Sequence, residues 1–399
     1  PSNSLATILL PWLPQTLASV DKRKVAVRTI LNEWPNIAWN LIIQLLPGQH
    51  QTSSGSHKPS WRKTIPDDWE KGVTNNEYWQ QASFYAELAV AAAGQDTSRL
   101  SALIDHFDNL PEPAFDQLLQ ALASQPISEL PEEQRLSIWN HLTKFTNKHR
   151  RFSDAKWALP DELITRIEQV AEKLSPTNPF NLYQHFFTDR DFDLYEGNGD
   201  WEEQRKKLEM RRETAILEIF QQDGVESVIR FAESVSSANQ VGYALGVIAD
   251  SVIEQTLLPH FLDSADNRHK ALVSGFIWRR YHLKGWRWCD DINKFDWSPE
   301  QVGQFLACLP FTKKAWDRAS EWLQTHESEY WMRTGANAYQ ADGDLAIAIE
   351  KLIEHGRPHA AINCLDRMRN DKQPIDSKQC VRALLAALSS SEPSYGMDG

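Results

Sequence analysis

Leu345, Ala348, Ile349, Leu352 and Ile353 fall at i, i+3, i+4, i+7 and i+8, which places all of them on one face of an α-helix. Gly356 stops that helix, and Pro358 opens a second whose stripe is Ala361, Cys364, Leu365 and Met368. The spacing predicts a helix-turn-helix hairpin with a short Gly-Arg-Pro connection. The same design recurs upstream. Gly224 precedes a helix carrying Val225, Val228, Ile229 and Ala232, and the next is predicted to run through Val241, Leu245, Ile248 and Val252. Ile138, Leu142 and Phe145 mark another such face. Between Trp201 and Phe220, the pairs Glu202/Lys206 and Glu203/Lys207 stand at i, i+4 in the order that favours an exposed helix. No alternating run of Val, Ile and Thr between Asn-Gly or Asp-Gly turns competes as a sheet.

At 399 residues the chain exceeds what one hydrophobic core ordinarily fills, so two domains or an elongated array are expected. A helix pair cannot bury its apolar stripe alone, whereas stacking on neighbouring pairs buries it. The expected fold is all-α: an α-solenoid of irregular helix-turn-helix pairs, tetratricopeptide-like or HEAT-like. It comprises an N-terminal array over 1–187 and a C-terminal array over 188–399. Two stretches interrupt the pattern. Pro47 to about Asp68 holds Gln51-Thr52-Ser53-Ser54-Gly55-Ser56, Pro59 and Pro66, a long loop by length alone. Thr188 to Asp200 gathers Asp189, Asp191, Asp193, Glu196 and Asp200. The chain begins at Pro1 without an initiator Met and ends Ser394-Tyr395-Gly396-Met397-Asp398-Gly399 just after a helix-like segment, so an excised piece of a longer protein is expected.

Charge narrows the function classes. A formal net charge of −12 works against general affinity for nucleic acid or acidic lipid. The basic stretches Arg205-Lys206-Lys207, Arg211-Arg212 and His149-Arg150-Arg151 are each flanked by acids and read as charged helix faces. No run approaches the roughly 18 apolar residues that span a bilayer. Cys289, Cys308, Cys364 and Cys380 are scattered, with no secretory leader ahead of them, which implies free thiols and a cytoplasmic location.

A search for chemistry leaves little. The acidic stretch at Asp189–Asp200 has Leu194 where a calcium loop needs its turn glycine, with Phe192 and Tyr195 intruding, so it reads as a solvated cap on the Trp201 helix. His326-Glu327-Ser328-Glu329-Tyr330 starts like a zinc-protease helix, but Tyr330 replaces the second histidine. Phosphate loops, dinucleotide fingerprints, Cys-x-x-Cys pairs and nucleophile elbows are missing from the sequence. No catalytic residue, metal ligand or cofactor is therefore expected in this chain. What stands out is a segment rich in the side chains of binding hot spots, with Trp278, Arg279, Arg280, Tyr281, Trp286, Arg287 and Trp288 as the candidate partner-binding residues. The competing reading places Trp278, at helical spacing from Ser274 and His282, between helical layers with Arg279 and Arg280 snorkelling outward.

Several blocks together resemble a known family. Leu10-Pro11-Trp12-Leu13-Pro14-Gln15-Thr16, Trp39 with Leu45-Leu46-Pro47, and Pro59-Ser60-Trp61-Arg62 form one set. His149-Arg150-Arg151-Phe152 with Lys156-Trp157-Ala158-Leu159-Pro160, and Glu354-His355-Gly356-Arg357-Pro358, form later ones. Together they resemble the C-terminal helical-repeat region of large bacterial STAND-type NTPases and related antiphage defence proteins. In that family an effector and a nucleotide-binding module lie upstream, and the helical repeats recognise a phage structural or packaging protein. Recognition then promotes assembly and effector activation. The resemblance implies a non-catalytic sensor or scaffold with a protein partner, contacts to upstream domains of its own chain, and homo-oligomer formation in the longer protein. A purely architectural scaffold is the alternative.

Overall fold

The computed structural model describes residues 2–16, 18–48, 72–190, 194–195, 200–341 and 345–390. Most of the Pro47–Asp68 loop, including Pro59-Ser60-Trp61-Arg62, lies outside the described residues, as do Asp191, Asp193, Glu196 and the C-terminal Ser394–Gly399. Among the described residues there are only helices and connections, with no strand. The all-α expectation holds. The chain divides into two compact units, Pro1–Leu182 with Phe192–Gln204, and Tyr183–Asp191 with Arg205–Gly399.

The first unit runs through α1 (Ser2–Leu9), α2 (Val20–Glu33), α3 (Pro35–Leu45), α4 (Asn75–Ala93), α5 (Thr97–Ile104), α6 (Glu112–Leu122), α7 (Gln125–Ser128), α8 (Glu132–Arg151), α9 (Asp161–Leu174) and α10 (Pro179–Tyr183), which ends at the boundary. Its core is continuous from Val27, Ile42 and Leu45 through Tyr85, Leu100 and Leu118 to Ile138, Leu142 and Ile167, all fully buried. Each buried leucine or isoleucine contributes about 1.5–3 kcal/mol by leaving water. Local chemistry sets the helix ends. Thr74 and Glu77 form a reciprocal capping box at the start of α4, and Asp96 accepts from the backbone N–H groups of Ser98 and Arg99 to start α5.

The α8–α9 hairpin shows what the His149-Arg150-Arg151-Phe152 and Lys156–Pro160 blocks do. The buried His149 accepts the backbone N–H of Leu159 through Nδ1 at 3.0 Å, and its ring meets Trp157 edge-on at 5.2 Å. Arg150 donates to both carboxylate oxygens of Glu168, at 2.9 and 2.7 Å, and to Thr165, tying the hairpin's two helices together. Glu132, at the start of α8, accepts from Thr177, Asn178 and Asn181. Partial desolvation, the largest influence, pushes its carboxyl up, but those bonds outweigh it and bring it down to about 2.

The second unit comprises α11 (Trp201–Ser234, entered at Arg205), α12 (Ala238–Ile248), α13 (Ser251–Leu257), α14 (Asn267–Asp291), α15 (Pro299–Ala307), α16 (Lys313–Leu323), α17 (Ser328–Trp331), α18 (Leu345–Glu354), α19 (Pro358–Asn370) and α20 (Ser377–Ala387). Two of these are broken. α11 loses helical geometry at Asp223 and Gly224, and α14 does so at Gly285, where φ is 67°. The helix expected after Gly224 does start at this break, and Val225 and Val228 in it are buried. The stripe from Val241 to Val252 is corrected. α12 ends at Ile248, because the Asp250 carboxylate accepts from the N–H groups of Val252 and Ile253 and starts α13. Val252 points away from the core at 65% exposure.

The tightest packing in this unit is α12 against α14. A Cβ added to Gly242 would lie 1.8 Å from the carbonyl oxygen of Leu272, and one added to Gly275 would lie 2.0 Å from that of Asn239. Glycine is required at both, because any side chain would force the helices apart. The α18–α19 hairpin matches its sequence reading. Leu345, Ala348, Ile349 and Leu352 face Ala361, Cys364, Leu365 and Met368 in the core. The Gly356 N–H donates to Ile353 O and the Arg357 N–H to Leu352 O, a Schellman turn with Gly356 at φ 74°.

Candidate protein-binding face

The segment from Trp278 to Trp288 does not form one surface. Arg280 is 3% exposed and Trp288 6% exposed, and both donate to the same carboxylate oxygen of Glu254 on α13, Arg280 Nε and Trp288 Nε1 each at 2.9 Å. A second guanidinium nitrogen of Arg280 also bonds Glu254, and Nη1 reaches the Gly246 carbonyl at 3.4 Å. These two candidates therefore belong to the interior, where they clamp α13 and α12 onto α14. Their assignment as contact residues is corrected, because their donors are already taken and water is excluded around them. Arg279 is likewise directed inward. It donates to Tyr243 Oη at 2.9 Å and Glu213 at 2.7 Å, with its guanidinium 4.7 Å from the Tyr243 ring centre. It does not snorkel outward.

The remaining candidates are half-buried or exposed. Trp278 packs edge-on against His282 at 4.7 Å, and Tyr281 meets Trp286 edge-on at 5.2 Å. Arg287 extends into solvent, its side chain 91% exposed. Partial desolvation of the otherwise exposed ring, reinforced by the neighbouring Arg279 charge, holds His282 below its ordinary value.

Trp286 leads to residues that the sequence did not single out. The Gly285 break turns the last stretch of α14 so that Trp286 stacks under the Arg318 guanidinium of α16, 4.3 Å from its centre. Arg318 in turn donates Nε and Nη2 to the two oxygens of Asp290, both at 2.7 Å, and lies 5.9 Å from the Trp322 ring. That bidentate bond holds Asp290 below the usual carboxylate range. On Trp322 sits Lys294, its Nζ 4.3 Å from the ring centre and donating to the carbonyls of Cys289 at 2.6 Å and Ile292 at 2.8 Å. Burial pulls the Lys294 ammonium below the ordinary lysine value, against the pull of Cys289 and Asp290. The adjacent Cys289 thiol is pushed up to about 12, first by burial and then by Asp290, so it is inert at neutral pH.

A ladder of alternating indoles and cations, Trp286–Arg318–Trp322–Lys294, thus runs along the junction of α14 and α16. Each cation–π contact contributes about 0.5–1 kcal/mol at a partly exposed site. Beyond Lys294, Phe295 stands 90% exposed on the loop before α15. Its N–H bonds Asn293 Oδ1, so the residue is presented on an ordered turn. Trp297 follows, half-buried, edge-on to the buried Phe305 at 5.5 Å. Trp297 and Trp322 are two walls of a cleft of about 480 Å³, with Pro299, Val302, Thr325 and His326 among its lining. Sequence inspection missed this face because its parts come from three places, 286–290, 294–299 and 318–326. One local signal existed: Arg318 and Trp322 stand at i, i+4 on an amphipathic helix.

Other motifs resolve into structure. Glu327 of the His326–Tyr330 stretch accepts from Ser320 and the Trp331 indole and pairs with Lys351 at 3.0 Å. Arg212 is buried and donates to the Phe186 carbonyl at 2.8 Å, and Arg211 stacks on the Phe186 ring. Among the described residues no three His, Cys, Asp or Glu side chains are grouped as metal ligands, and no helix is long and apolar enough to cross a membrane. No family model, no curated protein and no solved structure matches this chain.

Proposed function

We propose that this chain is a non-catalytic, protein-binding helical scaffold, acting as the sensor region of a larger bacterial antiphage defence NTPase of the STAND type. In that role it recognises a phage structural or packaging protein, and its bound state favours assembly and effector activation by differential affinity for two arrangements of the longer protein. The observation that carries the binding part is the face of Trp286 and Trp322, held by Arg318 and Lys294, with Trp297 packed on Phe305 and the solvent-exposed Phe295 beside them. Rigid, partly exposed aromatic side chains are the usual anchors of protein interfaces, since little side-chain entropy is lost when they are covered. The defence assignment rests on the sequence blocks named above. Its test is capture of a phage protein by the full-length protein from infected cells, compared between wild type and Phe295→Ala. Equal capture by both removes this face from the recognition role, and no phage protein in either removes the sensor reading.

A second reading, an architectural scaffold whose surfaces hold a neighbouring domain or a sister copy, draws on α20. That helix packs on α18 and α19 through the buried Ala383, while Val381, Leu384, Leu385 and Leu388 remain exposed at i, i+3, i+4 and i+7. Such a stripe ordinarily meets another apolar surface. Light scattering of the chain against Leu384→Glu tests the sister-copy form of this reading: self-association that the charge abolishes supports it, and a chain monomeric with or without the charge removes it.

A further inference from the structure

We propose that the cleft between Trp297 and Trp322 receives an extended, proline-bearing segment of the protein partner. The inference rests on the protein-binding reading above and specifies the chemistry of the guest. Charge decides most of it. The cleft lining contains no carboxylate and includes Lys294, so a cationic guest gains no partner there and meets a like charge. An anionic guest gains only the one remaining N–H of the Lys294 ammonium, which already donates to two carbonyls and lies against the Trp322 ring. What remains is a neutral guest.

Hydrogen bonding narrows it further. The indole N–H groups of Trp288 and Trp331 have acceptors within the protein, whereas those of Trp297 and Trp322 have none among the described residues and are not sealed from solvent. Two unpaired donors beside aromatic walls suit a chain that offers backbone carbonyls. A polyproline-type segment does this, since its carbonyls have no internal partner and its rings pack on an aromatic wall such as Trp297, the Trp322 ring being already covered by Lys294 and Arg318. A long aliphatic side chain instead needs an enclosed apolar pocket, and this cleft is open to solvent with polar Gln324, Thr325 and His326 on one side. Its volume, about 480 Å³, is within the roughly 300–1,000 Å³ of ordinary ligand pockets.

The cleft is also fixed before any guest arrives. Ser298 and Gln301 form a capping box beneath Trp297, and Pro299 sets the first turn of α15. On the opposite lip Gln324 holds φ at 50°, a conformation that costs a non-glycine residue energy and that recurs at binding sites. A preformed cleft and a guest already stiff in its bound shape both lower the ordering cost of association.

The test is fluorine NMR on the 5-fluorotryptophan-labelled chain, with the Trp297 and Trp322 resonances assigned through Trp297→Phe and Trp322→Phe. The probes are a short neutral Ala-Pro-Pro peptide, its Pro→Ala counterpart, and versions carrying Arg or Glu. Both resonances should shift saturably with the neutral proline peptide at or below about 1 mM, and binding of the alanine version should be about tenfold weaker. Trp322→Ala should abolish the shift at Trp297 while circular dichroism shows the helical fold retained, the melting temperature falling by the loss of its contacts with Lys294 and Arg318. No shift with the proline peptide, or tighter binding of the Arg or Glu version, overturns the inference. If Phe295→Ala abolishes phage-protein capture while the peptides fail to bind, the protein-binding reading stands and only the guest is wrong. If the peptide binds and capture is indifferent to Phe295 and Trp322, the cleft chemistry stands and this face loses its part in recognising the phage protein.

Discussion

Gly356 and Lys372 occupy the same place in two successive turns. The Lys372 N–H donates to Arg369 O and the Gln373 N–H to Met368 O, the pattern seen at Gly356 and Arg357, and Lys372 holds φ at 55°. A Cβ at Gly356 meets nothing within 4 Å, so the cost of a substitution there is conformational rather than steric. Gly356→Val should therefore lose about 1–2 kcal/mol. Lys372→Gly should gain up to about 1 kcal/mol by relieving the same strain, less what glycine adds to unfolded-chain entropy. Urea unfolding of both variants checks the pair, and a shift of the same sign in both contradicts it. The first turn was legible in the sequence because glycine is its usual occupant. The second was hidden, since lysine carries no turn signal and only the backbone hydrogen bonds reveal it.

Among elements, the periodic stripes of α8, α18 and α19 were legible because each is long, regular and capped by residues with a known mechanism. Contacts between elements were not. Gly242 and Gly246 stand at a small-residue spacing visible in the sequence, yet the spacing gains meaning only when Gly275 of α14 arrives opposite. Gly242→Ala should consequently cost more than about 3 kcal/mol, beyond ordinary overpacking, because the obstructing atom is a backbone carbonyl that cannot turn aside. Circular dichroism melting checks this, and a change within about 0.5 kcal/mol would mean that α12 and α14 do not cross so closely. The Trp278–Trp288 segment fails as a single surface for a related reason. Composition shows that Trp and Arg are present but not which helix supplies an acid, and Glu254 of α13 draws Arg280 and Trp288 into the interior. Arg280→Ala should cost about 3 kcal/mol of stability, by leaving Glu254 without its guanidinium partner in a largely buried site. Arg287→Ala, by contrast, should change stability by less than about 0.5 kcal/mol, its ion pair to Asp291 being long and exposed. Equal losses in the two variants would mean that Arg280 is no more part of the interior than Arg287.

At the scale of the molecule, four histidines among the described residues share one electrostatic circumstance. Desolvation, complete at His149 and partial at His106, His282 and His355, holds all four below the ordinary histidine value, because a charged ring would lose hydration. For His149, Asp108 pulls the other way and Lys148 adds to the depression. These groups are bases whose folded pKa lies under the unfolded value of about 6.5. Below that pH the unfolded chain binds protons that the folded chain refuses, so stability rises with pH in this window and is lost as pH falls through it. Carboxylates follow later. Glu132, brought down to about 2, keeps its contribution until the medium drops under the ordinary glutamate range of about 4.5. The melting temperature should thus be level above about pH 7, decline between roughly pH 6.5 and 5, and fall again below about pH 4.5. The histidine part is assignable. In His149→Asn the side-chain oxygen takes over the bond from the Leu159 N–H, and the variant, although less stable from lost packing, should show a shallower decline between pH 7 and 5 than wild type. An unchanged slope would mean that His149 titrates alike in folded and unfolded chains, and that its burial against Phe145 and Trp157 does not bar the proton.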